Sequence, residues 1–242
     1  MKIEAHLLHW QEKDIMPYVI KHYRSFCNEI IIHDNHSKDG SAEMAKELGC
    51  TVIPFGSDFF DDGINKDVKN ECWKGSKANW CIVADFDELL WCNPNHISIE
   101  STLHGTQSHI FKPQGWQIMS EDWPVNELTE ILNGYPFDNY SKCVLFDPWL
   151  KEVNFNEGAH RCNPISPDPG IEVEMFEFKQ SMYVLHYKHI GGVQRTIDRY
   201  KVLQRRLSKQ NRKMGWGCHY NRSPASIRQE WTERMAKSRP LI

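Results

Sequence analysis

The stretch WCIVADFDELLW, residues 80–91, decides how the chain is read. Five apolar residues run into three carboxylates, Asp85, Asp87 and Glu88, and the chain then turns apolar again. A short, continuously apolar run is the pattern of a central strand in a parallel sheet, buried on both faces. Carboxylates at the end of such a strand are costly to dehydrate unless positive charge sits beside them. Either a cation belongs there or the acids lie on a solvated loop.

The residues before this stretch alternate between strand and helix patterns. KIEAHLLHW (2–10) predicts a first strand, and DIMPYVIKHYRSF (14–26) a helix with Pro17 in its first turn, where the missing N–H costs little. EIIIHD (29–34) predicts a second strand, SAEMAKELG (41–49) a helix with Ser41 as N-cap and Gly49 as its stop, and CTVIPF (50–55) a third strand. A helix is expected over about 64–79, and WCIVADF (80–86) is the fourth strand. This order implies a parallel α/β sheet whose ligand site lies at the carboxyl ends of its strands. His33, Asp34 and the acids from Asp85 to Glu88 all fall there.

After Trp91 the pattern changes to Pro, Gly and short strands: HIFKP (109–113), KCVLF (142–146) and MFEFKQSMYVLHYKHI (175–190), with a loop over 163–172. This half is expected to be mixed or antiparallel. VQRTIDRYKVLQRRLSKQNRKM (193–214) predicts one long helix with Val193, Ile197, Tyr200, Leu203 and Leu207 on a single apolar stripe. The expected organisation is one domain over 1–242: a parallel α/β part (1–92), a mixed part (93–192) and a basic helical segment (193–242).

Composition is that of an ordinary globular chain, with 40% hydrophobic and 25% charged residues and no tract polar enough to read as disordered. Nine Trp suit a site that stacks on bases or sugar faces as well as they suit a core. The net charge of −3 conceals an asymmetry: from His186 onward there are 14 Lys and Arg against 3 acids, leaving 15 against 29 before it. Such a basic segment suits nucleic acid, an anionic lipid surface, a diphosphate or plain solvent, and of these no nucleic-acid partner is expected. MKIEAHLLHW has no apolar run of signal-peptide length and no window reaches a membrane-spanning length, so the expected location is the cytoplasm. The eight Cys form no CxxC pair, which points to reduced thiols and not to a zinc cluster or a disulfide framework.

Two carboxylates at i and i+2 leaving a buried strand can present several oxygens to one hard divalent cation, Mg²⁺ or Mn²⁺. The chain has no GxGxxG, no GxxxxGK[ST] and no GxSxG, which removes the usual signals of a Rossmann dehydrogenase, a P-loop NTPase and a triad hydrolase.

Three motifs in order carry a resemblance: QEKDIMP (11–17), DNHSKDG (34–40) and DFDE (85–88). Together they make the chain similar to the glycosyltransferase family 2-like group of GT-A nucleotide-sugar transferases, over roughly residues 1–92. YVLHYKH (183–189) resembles the segment in which related transferases carry a C-terminal His that completes the metal site. The resemblance implies a GT-A-type, Rossmann-like, mostly parallel sheet flanked by helices, and Mn²⁺ or Mg²⁺ as cofactor. It implies that Trp10, Glu12, Asp34 and Asn35 lie near the base or ribose. Asp85 would touch ribose or sugar and share the metal role, Asp87 and His186 would ligate the cation, and residues 1–92 would be the nucleotide-sugar-binding half and 93–192 the acceptor-side half. On the helix around 65–74, the helical spacing of Lys66, Lys69, Asn70 and Trp73 adds Lys69 or Asn70 as residues expected to face the donor. His160, Lys188 and His189 are candidates for acceptor or phosphate. The acceptor-side acid of related transferases points to Asp122, with Glu121 and Glu157 as the other candidates for a catalytic base.

The expected function is therefore metal-dependent transfer of a sugar from a nucleoside diphosphate sugar, with UDP-sugar favoured, to a hydroxyl acceptor on a glycan or lipid-linked carrier. The basic helix adds the expectation of peripheral contact with an anionic membrane. Two other readings compete. A nucleotidyltransferase also joins an α/β sheet to acids and a divalent ion, but the basic Gly-rich N-terminal loop expected of one is absent. A non-enzymatic module binding nucleic acid or an anionic surface would explain the basic segment and leave the acidic strand end without a purpose.

Overall fold

Two sheets meet at the acidic strand end in the computed structural model, which describes residues 1–242. The larger sheet starts as a βαβ series: β1 (Ile3–His9), α1 (Met16–Arg24), β2 (Glu29–Asp34), α2 (Ser41–Glu47), β3 (Thr51–Pro54), α3 (Asp62–Glu71) and β4 (Trp80–Asp85). β1 pairs in parallel with β2 and β4, and β2 in parallel with β3. Both faces are covered, which is why these strands read as continuous apolar runs. Ile3, Ala5 and Leu7 pack with Met16, Val19, Ile20 and Tyr23 of α1, while Cys81 and Val83 turn the other way, towards Trp73 just past α3.

The chain then leaves this sheet. β5 (Glu88–Cys92), α4 (Ile99–Leu103), β6 (Ile110–Lys112), β7 (Gln114–Met119), β8 (Asn133–Pro136), β9 (Leu145–Phe146), β10 (Phe176–Glu177) and β11 (Met182–His189) follow. α5 (Gly192–Arg206), α6 (Lys209–Met214), α7 (Pro224–Lys237) and β12 (Arg239–Pro240) complete the fold. The larger sheet has the order β10-β6-β9-β4-β1-β2-β3, and the smaller one β12-β8-β7-β11-β5. The second apolar run, Leu89 to Trp91, therefore belongs to another sheet. Between the two, Phe86 N–H donates to Leu8 O (2.9 Å) and Tyr187 N–H donates to Asp87 O (2.8 Å), so the acids lie where the chain crosses over.

Several boundaries differ from expectation for local reasons. The helix expected over 193–214 is two helices, because Leu207 is extended (φ −51°, ψ 124°) and the Ser208 hydroxyl accepts from Asn211 N–H to start α6. The strand expected over 175–190 is split between the sheets as β10 and β11, and the helix expected over 64–79 stops at Glu71. Ser41 is not the cap of α2: Gly40 holds that place at φ +81°, and the Asp39 carboxylate accepts the Ser41 N–H at 3.1 Å. The eight cysteines are free, and no helix is long and apolar enough to cross a membrane.

Candidate active site

Parallel strands point their carboxyl ends one way, so β1, β2 and β4 deliver His9, Asp34 and Asp85 to one edge. The smaller sheet closes that edge from the side. On β11, His186 stands in register with Glu88 of β5 and with Gln117 of β7. Between the sheets lies a cleft of about 220 Å³, with Trp10, Glu12, Asn35, Asp62, Asp85, Asp87, Tyr140, Lys188, Arg199 and Tyr220 among its lining residues.

Asp85 is neutralised from both sides. Its Oδ1 is 2.7 Å from Lys69 Nζ and its Oδ2 is 3.1 Å from Lys142 Nζ, which also sits 2.5 Å from Glu88 Oε1. Burial works against a charged Asp85, but the two ammonium groups outweigh it and hold the carboxyl well below the usual carboxylate range. In Glu88 burial pushes the carboxyl up, against the pull of Lys142. With both oxygens taken by ammonium groups, Asp85 does not stand as a free metal ligand in this geometry.

Asp87, two residues on, has a different neighbour. The Gln117 side-chain amide donates to Ile118 O (2.8 Å) and His186 O (3.0 Å), which leaves its Oε1 as acceptor, 2.8 Å from His186 Nδ1. That network assigns the imidazole proton to Nδ1. His186 Nε2 then presents a lone pair to Asp87 Oδ2 at 3.6 Å. Burial, followed by Lys188 and Lys142, holds the His186 pKa well below its ordinary value, so the ring is neutral. Tyr140 stacks on it with centroids 3.9 Å apart. A carboxylate oxygen and an unprotonated imidazole nitrogen facing one another could hold a divalent cation between them, a donor set compatible with Mn²⁺ or Mg²⁺ if phosphate oxygens supply further positions.

Another part of the cleft lining is built on Trp10. The Arg206 guanidinium lies 3.7 Å from its ring centroid and donates to Asn35 Oδ1 at 2.7 Å. Arg199 pairs with the buried Glu12, whose carboxyl burial pushes up against the pull of Arg199. Asp34 is spent inside the fold, accepting from Ser37 N–H (3.0 Å) and bonded to His9 Nδ1 (2.9 Å), and is not a lining residue. Lys188 makes its hydrogen bond to Tyr220 Oη (2.8 Å) and lies over that ring at 4.6 Å. Asp62, at the start of α3, accepts from Asn211 Nδ2 (2.8 Å); burial, then the nearby Asp85, pushes it up to about 6.

The structure thus brings Trp10, Glu12, Asn35, Lys69, Asp85, Asp87, His160, His186 and Lys188 to the cleft. It places others elsewhere. The Asn70 side chain exchanges two hydrogen bonds with the Phe155 backbone (2.7 and 3.2 Å) and pins a loop. His189 is buried against Thr196 and Arg234, and Glu121 accepts from Trp231 Nε1 at 2.6 Å. Asp122 lies on the same turn as Glu121, outside the cleft, and Glu157 is occupied with Lys66 at 3.3 Å. Sequence reasoning missed Lys142, Gln117, Tyr140, Asp62 and Arg199. Lys142 had a signal, a lone charge directly before an apolar strand; the others carry none, because their partners are distant in the chain.

No family model matches the chain and no curated protein matches it. Among solved structures it is similar to mannosyl-3-phosphoglycerate synthase from Rubrobacter xylanophilus, at 15% identity over 48% of this chain and 40% of that one, with a TM-score of 0.36. It is also similar to glucosyl-3-phosphoglycerate synthase from Mycobacterium tuberculosis in complex with Mn²⁺, UDP and glucosyl-3-phosphoglycerate, at 16% identity over 47% and 44%, with a TM-score of 0.35. Less than half of either chain is matched, and a likeness of that size carries no argument about function. The architecture itself defines the class: an α/β chain with a mostly parallel sheet and seven α-helices.

Proposed function

We propose that this chain is a GT-A-type glycosyltransferase that takes a sugar from a nucleoside diphosphate sugar, with UDP-sugar favoured, and passes it to a hydroxyl acceptor. The observation that carries the reading is the pairing of Asp87 Oδ2 with the lone pair of His186 Nε2 at 3.6 Å, at the carboxyl edge of a parallel sheet. Asp87 and His186 would hold Mn²⁺ or Mg²⁺, which supplies charge neutralisation for a departing diphosphate.

The chain's own groups have distinct tasks in this reading. Trp10 offers a face to the base once Arg206 yields it, and Asn35 offers an amide beside it. Lys69 and Lys142 hold the Asp85 carboxylate rigid and ionised, ready to accept from a ribose or sugar hydroxyl. Lys188, whose ammonium has a phenol and no carboxylate as partner, is the charge available to phosphate. Because Asp122, Glu121 and Glu157 lie outside the cleft, the proton-accepting role passes to Asp62. It is ionised at neutral pH, has no cation bonded to it, and has a raised pKa suited to a general base.

Several charges of the basic segment are internal: Arg195 bonds Asp14 (2.8 Å), Arg199 pairs with Glu12 and Arg206 covers Trp10. That favours a soluble hydroxyl acceptor over one recruited by an anionic membrane. Calorimetry with UDP in Mn²⁺ and in chelator tests the reading. Binding that requires the metal and is lost in Asp87→Asn and His186→Ala is the expected result. Metal-independent binding, or binding unchanged by Asp87→Asn, overturns it.

A further inference from the structure

The face of the larger sheet that turns away from α1 carries polar groups where apolar ones would be cheaper. Glu4 and His6 of β1, His33 of β2 and Cys81 of β4 are all buried there, and Cys72, at the C-cap of α3, closes over them. His6 Nδ1 and His33 Nε2 are 3.2 Å apart, their rings stacked at an interplanar angle of 18°. With Cys72 Sγ, one ring nitrogen from each histidine forms a group of three atoms that all lie within 4.8 Å of one another. His6 Nε2, on the far side of the ring, is buried with no hydrogen-bond partner and faces Glu4 Oε2 at 3.8 Å.

We propose that His6 Nδ1, His33 Nε2 and Cys72 Sγ bind a zinc-class divalent cation, with Glu4 supporting His6 from outside the ligand set. The separations suit it: Zn–N near 2.0–2.1 Å and Zn–S near 2.3 Å give tetrahedral edges of about 3.3–3.6 Å, so the ring nitrogens, 3.2 Å apart, already stand at one edge, and the thiol, within 4.8 Å, has at most about 1.2 Å to close. A cation on Nδ1 puts the His6 proton on Nε2. That supplies the unpartnered nitrogen with a donor role towards Glu4, the carboxylate–histidine–metal arrangement. Glu4 is itself held by Lys2 (2.8 Å) and Ser76 (2.5 Å).

Burial pushes both imidazoles down to about 4, so each is neutral near pH 7 and needs only its tautomer set. Burial pushes the Cys72 thiol up to about 12, so its proton leaves for solvent as the sulfur–metal bond forms, one proton per cation bound. The cation would tie α3 to β1 and β2. α3 carries Asp62 and Lys69 into the cleft, so this second centre braces one wall of the first while remaining chemically distinct from the Asp87–His186 pair.

Cobalt is the probe, since a thiolate bonded to Co²⁺ gives a near-ultraviolet charge-transfer band that an oxygen and imidazole site such as Asp87–His186 does not. The full chain titrated with Co²⁺ should develop that band to a single equivalent, and Zn²⁺ should bleach it. Cys72→Ser should abolish the band, Cys81→Ser should keep it, and Glu4→Gln should weaken Zn²⁺ binding by about 10- to 100-fold. A second measurement needs no variant: Zn²⁺ should slow alkylation of Cys72, read by peptide mass, by at least about tenfold. Absence of the band in the unmodified chain, its survival in Cys72→Ser, or alkylation of Cys72 at the same rate with and without Zn²⁺ overturns the proposal.

Discussion

On one side of Phe86 the chain meets two ammonium groups, and on the other it meets a neutral imidazole. Asp85 is bonded at both oxygens by Lys69 and Lys142, whereas Asp87 has His186 Nε2 at 3.6 Å, a partner with a lone pair of its own. The two residues are alike in type and almost adjacent. Their surroundings differ because the chain passes from one sheet to the other between them: Asp85 closes β4, whereas Asp87 lies in the turn before β5 with its carbonyl accepting from Tyr187 N–H of β11. Charge already balanced is a structural element; charge left unbalanced is free to meet a ligand. Four changes would break or sharpen that contrast.

The largest effect is expected at the balanced side. Lys142→Met leaves Asp85 with one ammonium partner and Glu88, 1% exposed, with no cation and only the Asp85 N–H (3.3 Å), and should cost about 3–5 kcal/mol in urea unfolding. A loss under about 1 kcal/mol would show that the ammonium does not hold the strand end together. Next comes the tautomer lock. Gln117→Leu frees the His186 ring to protonate Nε2, and Mn²⁺ affinity by calorimetry should fall about 10- to 100-fold. Unchanged affinity would break the argument that Gln117 selects the lone pair.

Asp62 offers a pH test. Its carboxyl titrates near 3.8 in the unfolded chain and near 6 in the fold, so between those values the folded state keeps a proton that the unfolded state has lost. Stability from this group therefore falls as pH rises from about 4 to 6 and stays reduced above. Asp62→Asn should raise stability by about 1–2 kcal/mol at pH 7 and by nothing below pH 4. A gain independent of pH would assign the effect to packing. The smallest change belongs to the unbalanced side: Asp87→Asn should shift metal-free stability by no more than about 0.5 kcal/mol, because it removes a charge that no cation offsets. A loss comparable to that of Lys142→Met would erase the contrast.

Some of this was legible in the chain and some was not. The alternation up to Asp85 is local: each strand and helix announces itself by its own periodicity and turn residues, and four parallel strands follow from it. Asp87 and His186 were readable as a pair only through motif resemblance, since their contact joins residues far apart in sequence. Asn70, Glu121 and His189 looked available and are not, because each found a backbone or side-chain partner that only packing supplies. The break at Leu207 was hidden for a similar reason. The apolar stripe continues through it, and Phe60 N–H donates to Arg206 O (2.8 Å) while Ser208 N–H donates to Phe60 O (2.9 Å), so the helix is interrupted by a distant strand-like segment.

The sequence by itself determined the class of sheet, the edge at which polar groups collect and the identity of the acids there, because these depend on spacing along a few consecutive residues. Only the tertiary structure decided which acid is paid in charge and which is left open. Lys69 comes from α3, Lys142 from the segment before β9, Gln117 from β7 and His186 from β11, and an ion pair or a tautomer depends on distances of a few ångströms between elements whose order in the chain places no such limit.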